Sequence, residues 1–216
     1  MLAHLCGDEG LLEAFKQGID IHTHTAMAVF GVTKELVTPE MRRLAKVVNF
    51  GVNYGISEYG LARDLAIPVY EAKEYIESYY SAHPKIKSYM EDSVRLAKET
   101  GRVSTLLGRT RKMNELSSSN YMVRQSAERA SQNMPIQGSA SDIIKLAMIG
   151  IEKRLEDEGY RARLIMQVHD ELIIDAPKDE AEKVRDIVIS EMENAYDMCV
   201  PLEVDSAISY RWSEGH

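Results

Sequence analysis

The sequence predicts an α+β protein: a run of helices over roughly its first hundred residues, then helices carrying a small antiparallel sheet. Three observations lead there. Apolar residues recur at three- and four-residue spacing through VYEAKEYIESYYSAH and PKIKSYMEDSVRLAKETG. Two β-prone runs, RARLIMQV and ELIIDA, are separated only by His169 and Asp170, the layout of a hairpin with a tight turn. The 216 residues are 44% apolar and include 13 Gly, which suits one ordinary domain or two small ones and excludes disordered, collagen-like and disulfide-stapled classes.

The elements follow in order. Residues 11–34 read as short helical pieces. Thr38-Pro39-Glu40 then marks a helix start: a hydroxyl to cap, a proline at the first helical position, and an acid on the positive end of the helix dipole. That helix is expected from Pro39 to about Tyr54, ending near Gly55, with a short second helix before Pro68. Two further helices close on Gly101, and residues 102–107 are β-prone. A helix from about Ser119 to Asn133 is expected to stop before Pro135, and a separate one to run from Ser139 to Gly159 with Ile144, Ala147, Met148, Ile151 and Leu155 as its buried stripe. After the hairpin come a helix from Lys178 to about Tyr196 and a closing strand over PLEVDSAISY. No internal repeat or low-complexity linker is present.

Composition narrows the function. Cys6 and Cys199 stand at opposite ends of the sequence, so neither a disulfide framework nor a zinc site is expected, and a reducing, cytoplasmic location is. The opening MLAHLCGDEG has no basic leader, and no eighteen apolar residues occur together, so neither a signal peptide nor a membrane span is expected. The net charge of -8 argues mildly against a nucleic-acid partner, but it is unevenly spread. Between Gly101 and Ala130, Arg102, Arg109, Arg111, Lys112, Arg124 and Arg129 face only Glu115 and Glu128, whereas residues 151–194 carry thirteen acids and seven bases. The basic segment suits either a phosphate-backbone surface or a solvated helix face.

Three constellations could carry chemistry. Arg42, Lys46, Phe50 and Tyr54 fall four apart, each turned only about 40° from the last, so they line one side of the helix. Two cations followed by two aromatics suit a ligand with phosphates at one end and a flat ring at the other; equally, Arg and Lys could be solvated and Phe and Tyr buried. In QVHDELI, a hairpin turn sets Asp170 beside Glu171, which suits either an oxygen-loving divalent cation or ordinary turn chemistry. Asn133, Pro135, Gln137 and Gly138 could reach bases and sugars, or cap the two helices they separate.

Taken together, RRLAKVVNFGVNYG, AERASQNMPIQGSASDIIK and MQVHDELI, in this order and at these separations, closely resemble the polymerase domain of the bacterial A-family DNA polymerases. The likeness extends from LAHLCGDEGLLEAF and DIHTHTA at the start to Trp212. It implies template-directed DNA synthesis, with nucleotidyl transfer from deoxynucleoside triphosphates to a primer 3′ hydroxyl. It further implies phosphate contacts by His22, Arg42 and Lys46, a sugar and base platform at Phe50, and the templating position at Tyr54. Arg129, Asn133 and Gln137 would meet primer and template, Gln167 and His169 would flank the primer terminus, and Asp170 would hold catalytic Mg²⁺ with Glu171 in support. Two Mg²⁺ ions are expected in the complete enzyme, and Lys46 would offset charge on the leaving pyrophosphate. The family's other catalytic aspartate lies in a segment like DYSQIELR that leads into the residues matching Met1 and Leu2. The chain is therefore expected to comprise fingers (1–128) and the C-terminal part of a palm (129–216), without that aspartate, the thumb or an exonuclease domain. By itself it is expected to be inactive, and the alternative is a DNA- or nucleotide-binding remnant without catalysis. Asn53 and Lys112-Met113-Asn114 depart from the family pattern. Phage-type RNA polymerases typically follow His-Asp with Ser, so Glu171, Phe50 and the QGSA run favour the DNA enzyme.

Overall fold

The computed structural model describes residues 1–215 and divides into two compact units, Met1–Ser139 and the residues from Ala140 on. The first unit opens with α1 (Leu2–Cys6), α2 (Glu9–Lys16) and α3 (Ile21–Phe30). Aspartates start the latter two: Asp8 accepts from the Leu11 backbone N–H at 3.1 Å, and Asp20 from that of Thr23 at 2.9 Å. The expected main helix is α4 (Pro39–Asn53), capped by the Thr38 hydroxyl, which accepts from the Met41 N–H at 3.2 Å. Then come α5 (Glu58–Leu65), α6 (Val69–Ala82) and α7 (Pro84–Thr100), the last ended by Gly101 at φ +69°. Ala26, Ala45, Val48, Leu61, Ala72 and Ile86 are wholly buried in this unit, with α3 along α4 and α5 along α6.

The β-prone run becomes β1 (Arg102–Ser104), paired antiparallel with β2 (Thr110–Lys112) so that Arg102 faces Lys112. Behind this hairpin Val103, Met113 and Leu116 pack with Ala97 of α7. The same cluster takes Ala127, Ala130 and Met134 from α8 (Tyr121–Asp157).

Helix α8 corrects the expected break at Pro135. It is one continuous helix of 37 residues with the proline inside it. Proline at that position removes the bond to the Ser131 carbonyl, at a cost of about 3 kcal/mol. Buried residues before and after it, Ala127, Ser131, Ile136, Ser139 and Ile143, hold the helical course, and burying side chains of this kind offsets a single lost bond. The Ser139 hydroxyl also accepts from the Leu106 backbone N–H at 2.8 Å, tying the helix to the turn between β1 and β2.

In the second unit, β3 (Arg163–Val168) and β4 (Glu171–Asp175) form the expected antiparallel hairpin, with a bulge between Leu164 and Met166. Leu172 and Ile174 of β4 pack on Ile151 and Leu155 of α8 and on Val184 and Ile187 of α9 (Ala181–Glu193). The α+β class is therefore observed, a sheet on helices. The closing strand expected over PLEVDSAISY does not form: residues 201–209 have no regular structure. Leu202 and Val204 do alternate with exposed neighbours as a strand would, but a strand exists only through ladder bonds to a neighbour, and among the described residues the sheet is β3 and β4 alone.

Candidate functional site

The four-residue column on α4 faces solvent. Phe50 and Tyr54 are each 51% exposed, while Ala45, Val48 and Val52 on the opposite side are buried. The alternative in which the aromatics supply the core is thereby removed. Lys46 is exposed and forms no ion pair among the described residues, and its Nζ lies 6.0 Å from the Phe50 ring centre. The His22 ring from α3 stands 5.9 Å from Phe50 on centroids. An ammonium, an imidazole and an open aromatic face thus share one patch.

Arg42 is already engaged. Its Nε and Nη2 donate to the two carboxylate oxygens of Asp20 at 2.8 and 2.9 Å, a bidentate fork across the α3–α4 contact. This guanidinium, helped by the Thr23 hydroxyl and N–H, holds the Asp20 carboxyl far below the ordinary carboxylate range against the opposing effect of partial burial. Asp20 was not among the residues the sequence reading singled out. Its signal in the sequence is an aspartate at a helix start two residues before His22, a pattern that helix capping accounts for equally well. His22 is held below the usual histidine range, first by burial; the Asp20 charge opposes this, while Arg42 and Lys46 reinforce it.

The end of α4 meets α8. The Asn133 side-chain amide donates to the Asn53 carbonyl at 3.0 Å, and that of Gln137 to the Tyr54 hydroxyl at 2.8 Å. Asn133 does cap a helix end, that of α4 and not of the helix it belongs to. Gly55, at φ +63°, makes the approach possible: a Cβ there would run into the Gln132 side-chain oxygen and lie 3.1 Å from Arg129 Cγ. An open cleft of about 670 Å³ results, lined by Phe50, Tyr54, Gly55, Tyr59, Arg63 and Arg129. So His22, Arg42, Lys46 and Phe50 form one end of a surface, and Tyr54, Arg129, Asn133 and Gln137 the other. Within the basic segment, Arg109 and Arg124 donate to the carbonyls of Gly138 and Ser118, whereas Arg102, Arg111 and Lys112 are exposed on the β1–β2 hairpin.

In the second unit, His169 takes φ +54° at the first position of the two-residue turn, a conformation that non-glycine residues adopt at a cost. The Gln167 side chain secures the turn by donating to the His169 carbonyl at 2.8 Å. Asp170 is exposed at the tip, and Glu171 Oε1 accepts from the Trp212 indole N–H at 2.9 Å. Trp212 is a further residue that sequence reasoning did not assign to the site. Adjacent carboxylates suit a hard divalent cation that keeps water and phosphate among its ligands. They fit only as a partial set: among the described residues no three His, Cys, Asp or Glu side chains gather into a metal site.

The chain belongs to DNA polymerase family A, whose family model matches residues 1–214. It is 51% identical over 98% of its length to DNA polymerase I of Bacillus caldotenax, and 47% identical over 98% to the thermostable DNA polymerase I of Thermus aquaticus. It spans about a quarter of the length of these relatives, 24% and 25%. Among solved structures, the POL domain of Pol1 from M. smegmatis, in complex with DNA primer-template and dNTP, superposes with a TM-score of 0.89 at 46% identity, over 94% of this chain and 36% of that one. No helix among the described residues is long and apolar enough to cross a membrane.

Proposed function

We propose that these 216 residues form the nucleotide-binding fingers and part of the palm of a template-directed DNA polymerase, working in the cytoplasm. The observation that carries this reading is the solvent-facing column Arg42–Lys46–Phe50–Tyr54 with His22 beside it, two cations and two open aromatic faces in the order a nucleotide requires. Arg42, Lys46 and His22 bind the triphosphate, Phe50 carries sugar and base, and Tyr54 stands where the templating base arrives. Arg129, Asn133 and Gln137 support primer and template around Tyr54, and Gln167 and His169 flank the primer terminus. We take residues 1–128 as fingers and 129–216 as palm. Asp170, steadied by Glu171, holds Mg²⁺, chosen by the hardness of its oxygen donors. In the complete enzyme such ions, held in part by Asp170, would supply Lewis-acid activation of the primer hydroxyl and of the triphosphate. Lys46 offsets charge on the departing pyrophosphate through an ammonium that has no acidic partner among the described residues.

The second reading, a catalytically inactive nucleotide- or DNA-binding remnant, is favoured by one observation, the partial carboxylate set of the hairpin. A graft separates the two: the chain is placed in the B. caldotenax enzyme in exchange for its matching quarter. Primer extension by the graft is expected, with Lys46→Ala weakening triphosphate use by tenfold or more (a loss of about 1.4 kcal/mol) and leaving duplex affinity within about twofold. Equal loss of both would make Lys46 structural, and a graft that folds and binds duplex without extending it would leave the binding reading.

A further inference from the structure

Two buried polar residues next to the proposed nucleotide site have no part in the scheme above. Thr25 of α3 is wholly buried and Asn49 of α4 is 8% exposed. The Thr25 hydroxyl donates to Asn49 Oδ1 at 3.0 Å, and Asn49 Nδ2 lies 3.1 Å from His22 Nδ1. The direction of this relay follows from the buried hydroxyl. Its proton has no other acceptor among the described residues, and leaving it unbonded costs about 1–3 kcal/mol. The amide oxygen must therefore face Thr25, which turns the NH₂ toward His22. An amide nitrogen only donates, so His22 Nδ1 must present its lone pair, and the ring proton belongs on Nε2.

We propose that Asn49, oriented by Thr25, is a positioning residue that holds His22 as the neutral Nε2–H tautomer, and that His22 meets the triphosphate as a hydrogen-bond donor and not as a cation. The role toward triphosphate rests on the nucleotide reading above; the tautomer does not. Among the described residues Nε2 has no protein partner, so its N–H is left for a ligand. An imidazolium would set an N–H against the Asn49 amide. Burial, Arg42 and Lys46 also disfavour the charged ring, with Asp20 alone opposing them. The arrangement has a functional sense. A donor that is already neutral keeps its proton across the neutral pH range, and it adds directional bonding where two cations already supply charge.

The test uses the ¹⁵N-histidine-labelled 216-residue chain, with His22 identified among the six histidines by His22→Gln. At pH 7.5 the long-range ¹H–¹⁵N spectrum is expected to show His22 protonated on Nε2 only. Asn49→Asp puts an acceptor at Nδ1 and should abolish that pattern, moving the proton to Nδ1 or charging the ring. Should that variant not fold, Thr25→Val, which frees the amide to turn, should convert the single pattern to a mixture. An Nδ1–H tautomer in the unaltered chain, or an unchanged pattern in both variants, overturns the relay. Adding a deoxynucleoside triphosphate with Mg²⁺ should shift the Nε2 resonance. If the tautomer is as expected and triphosphate shifts backbone resonances of α4 but not Nε2, the donor role fails and the nucleotide reading stands; if no resonance moves, the nucleotide reading fails and the tautomer relay stands.

Discussion

Replacing Asp20 with asparagine asks what the bidentate pair with Arg42 is for. Asparagine is as good a helix cap as aspartate, so the bond from the Thr23 N–H is kept. The pair spans 2.8 and 2.9 Å, but the two side chains are 42% and 48% exposed, so its loss should cost little stability. The larger effect falls on the ligand. Asp20 sets a negative charge beside Arg42, and for a phosphate taken at about 6 Å from it, removing that unit charge in a water-like dielectric favours an anion by about 0.7 kcal/mol. Triphosphate should therefore bind roughly threefold tighter to Asp20→Asn, a gain that shrinks as salt is raised. Titration of the labelled chain with triphosphate at two ionic strengths measures this, with Arg42→Ala as the reference for losing the guanidinium. If Asp20→Asn weakens binding as much as Arg42→Ala does, Asp20 aims Arg42 at the ligand and does not compete for it, and the reasoning is refuted.

The remaining expectations are shorter. Gly55→Ala imposes a left-handed conformation on a residue with a Cβ and drives that carbon into Gln132 and Arg129, so denaturant unfolding should show a loss of about 1–3 kcal/mol; a neutral result would mean α8 does not bear on the turn after α4. The isolated chain, supplied with primer-template, deoxynucleoside triphosphates and Mg²⁺, should not extend the primer, because the hairpin offers only a partial carboxylate set; extension in a gel assay would overturn that count. His22 and His24 are both held below the ordinary histidine range, principally by burial. Groups shifted down in this way stabilise the fold above the unfolded pKa, near 6.5, and that stability is lost as pH falls. The melting temperature should drop on going from pH 8 to pH 5.5, and less steeply in His24→Phe; equal slopes would remove His24 from the account.

What sequence alone determined here is what depends on neighbours along the chain. Thr38, Pro39 and Glu40 start α4 through local hydrogen bonds and a preset φ, and four-residue spacing puts Arg42, Lys46, Phe50 and Tyr54 on one side whatever surrounds them. Two β-prone runs with only His169 and Asp170 between them could scarcely avoid a hairpin. Tertiary structure decided which side of α4 is wet, since periodicity marks a stripe without saying whether core or solvent receives it. It also decided that α8 continues through Pro135, because burial on both sides outweighs one missing bond, and that PLEVDSAISY stays irregular, because a strand needs a partner that spacing cannot supply. The same holds for the contacts that give the site its chemistry. Arg42 meets Asp20 across 22 residues, Asn49 meets His22 across 27, and Gln137 meets Tyr54 across 83. Such pairings follow from how helices pack, a sum over many weak contacts, and no local pattern in the chain encodes them.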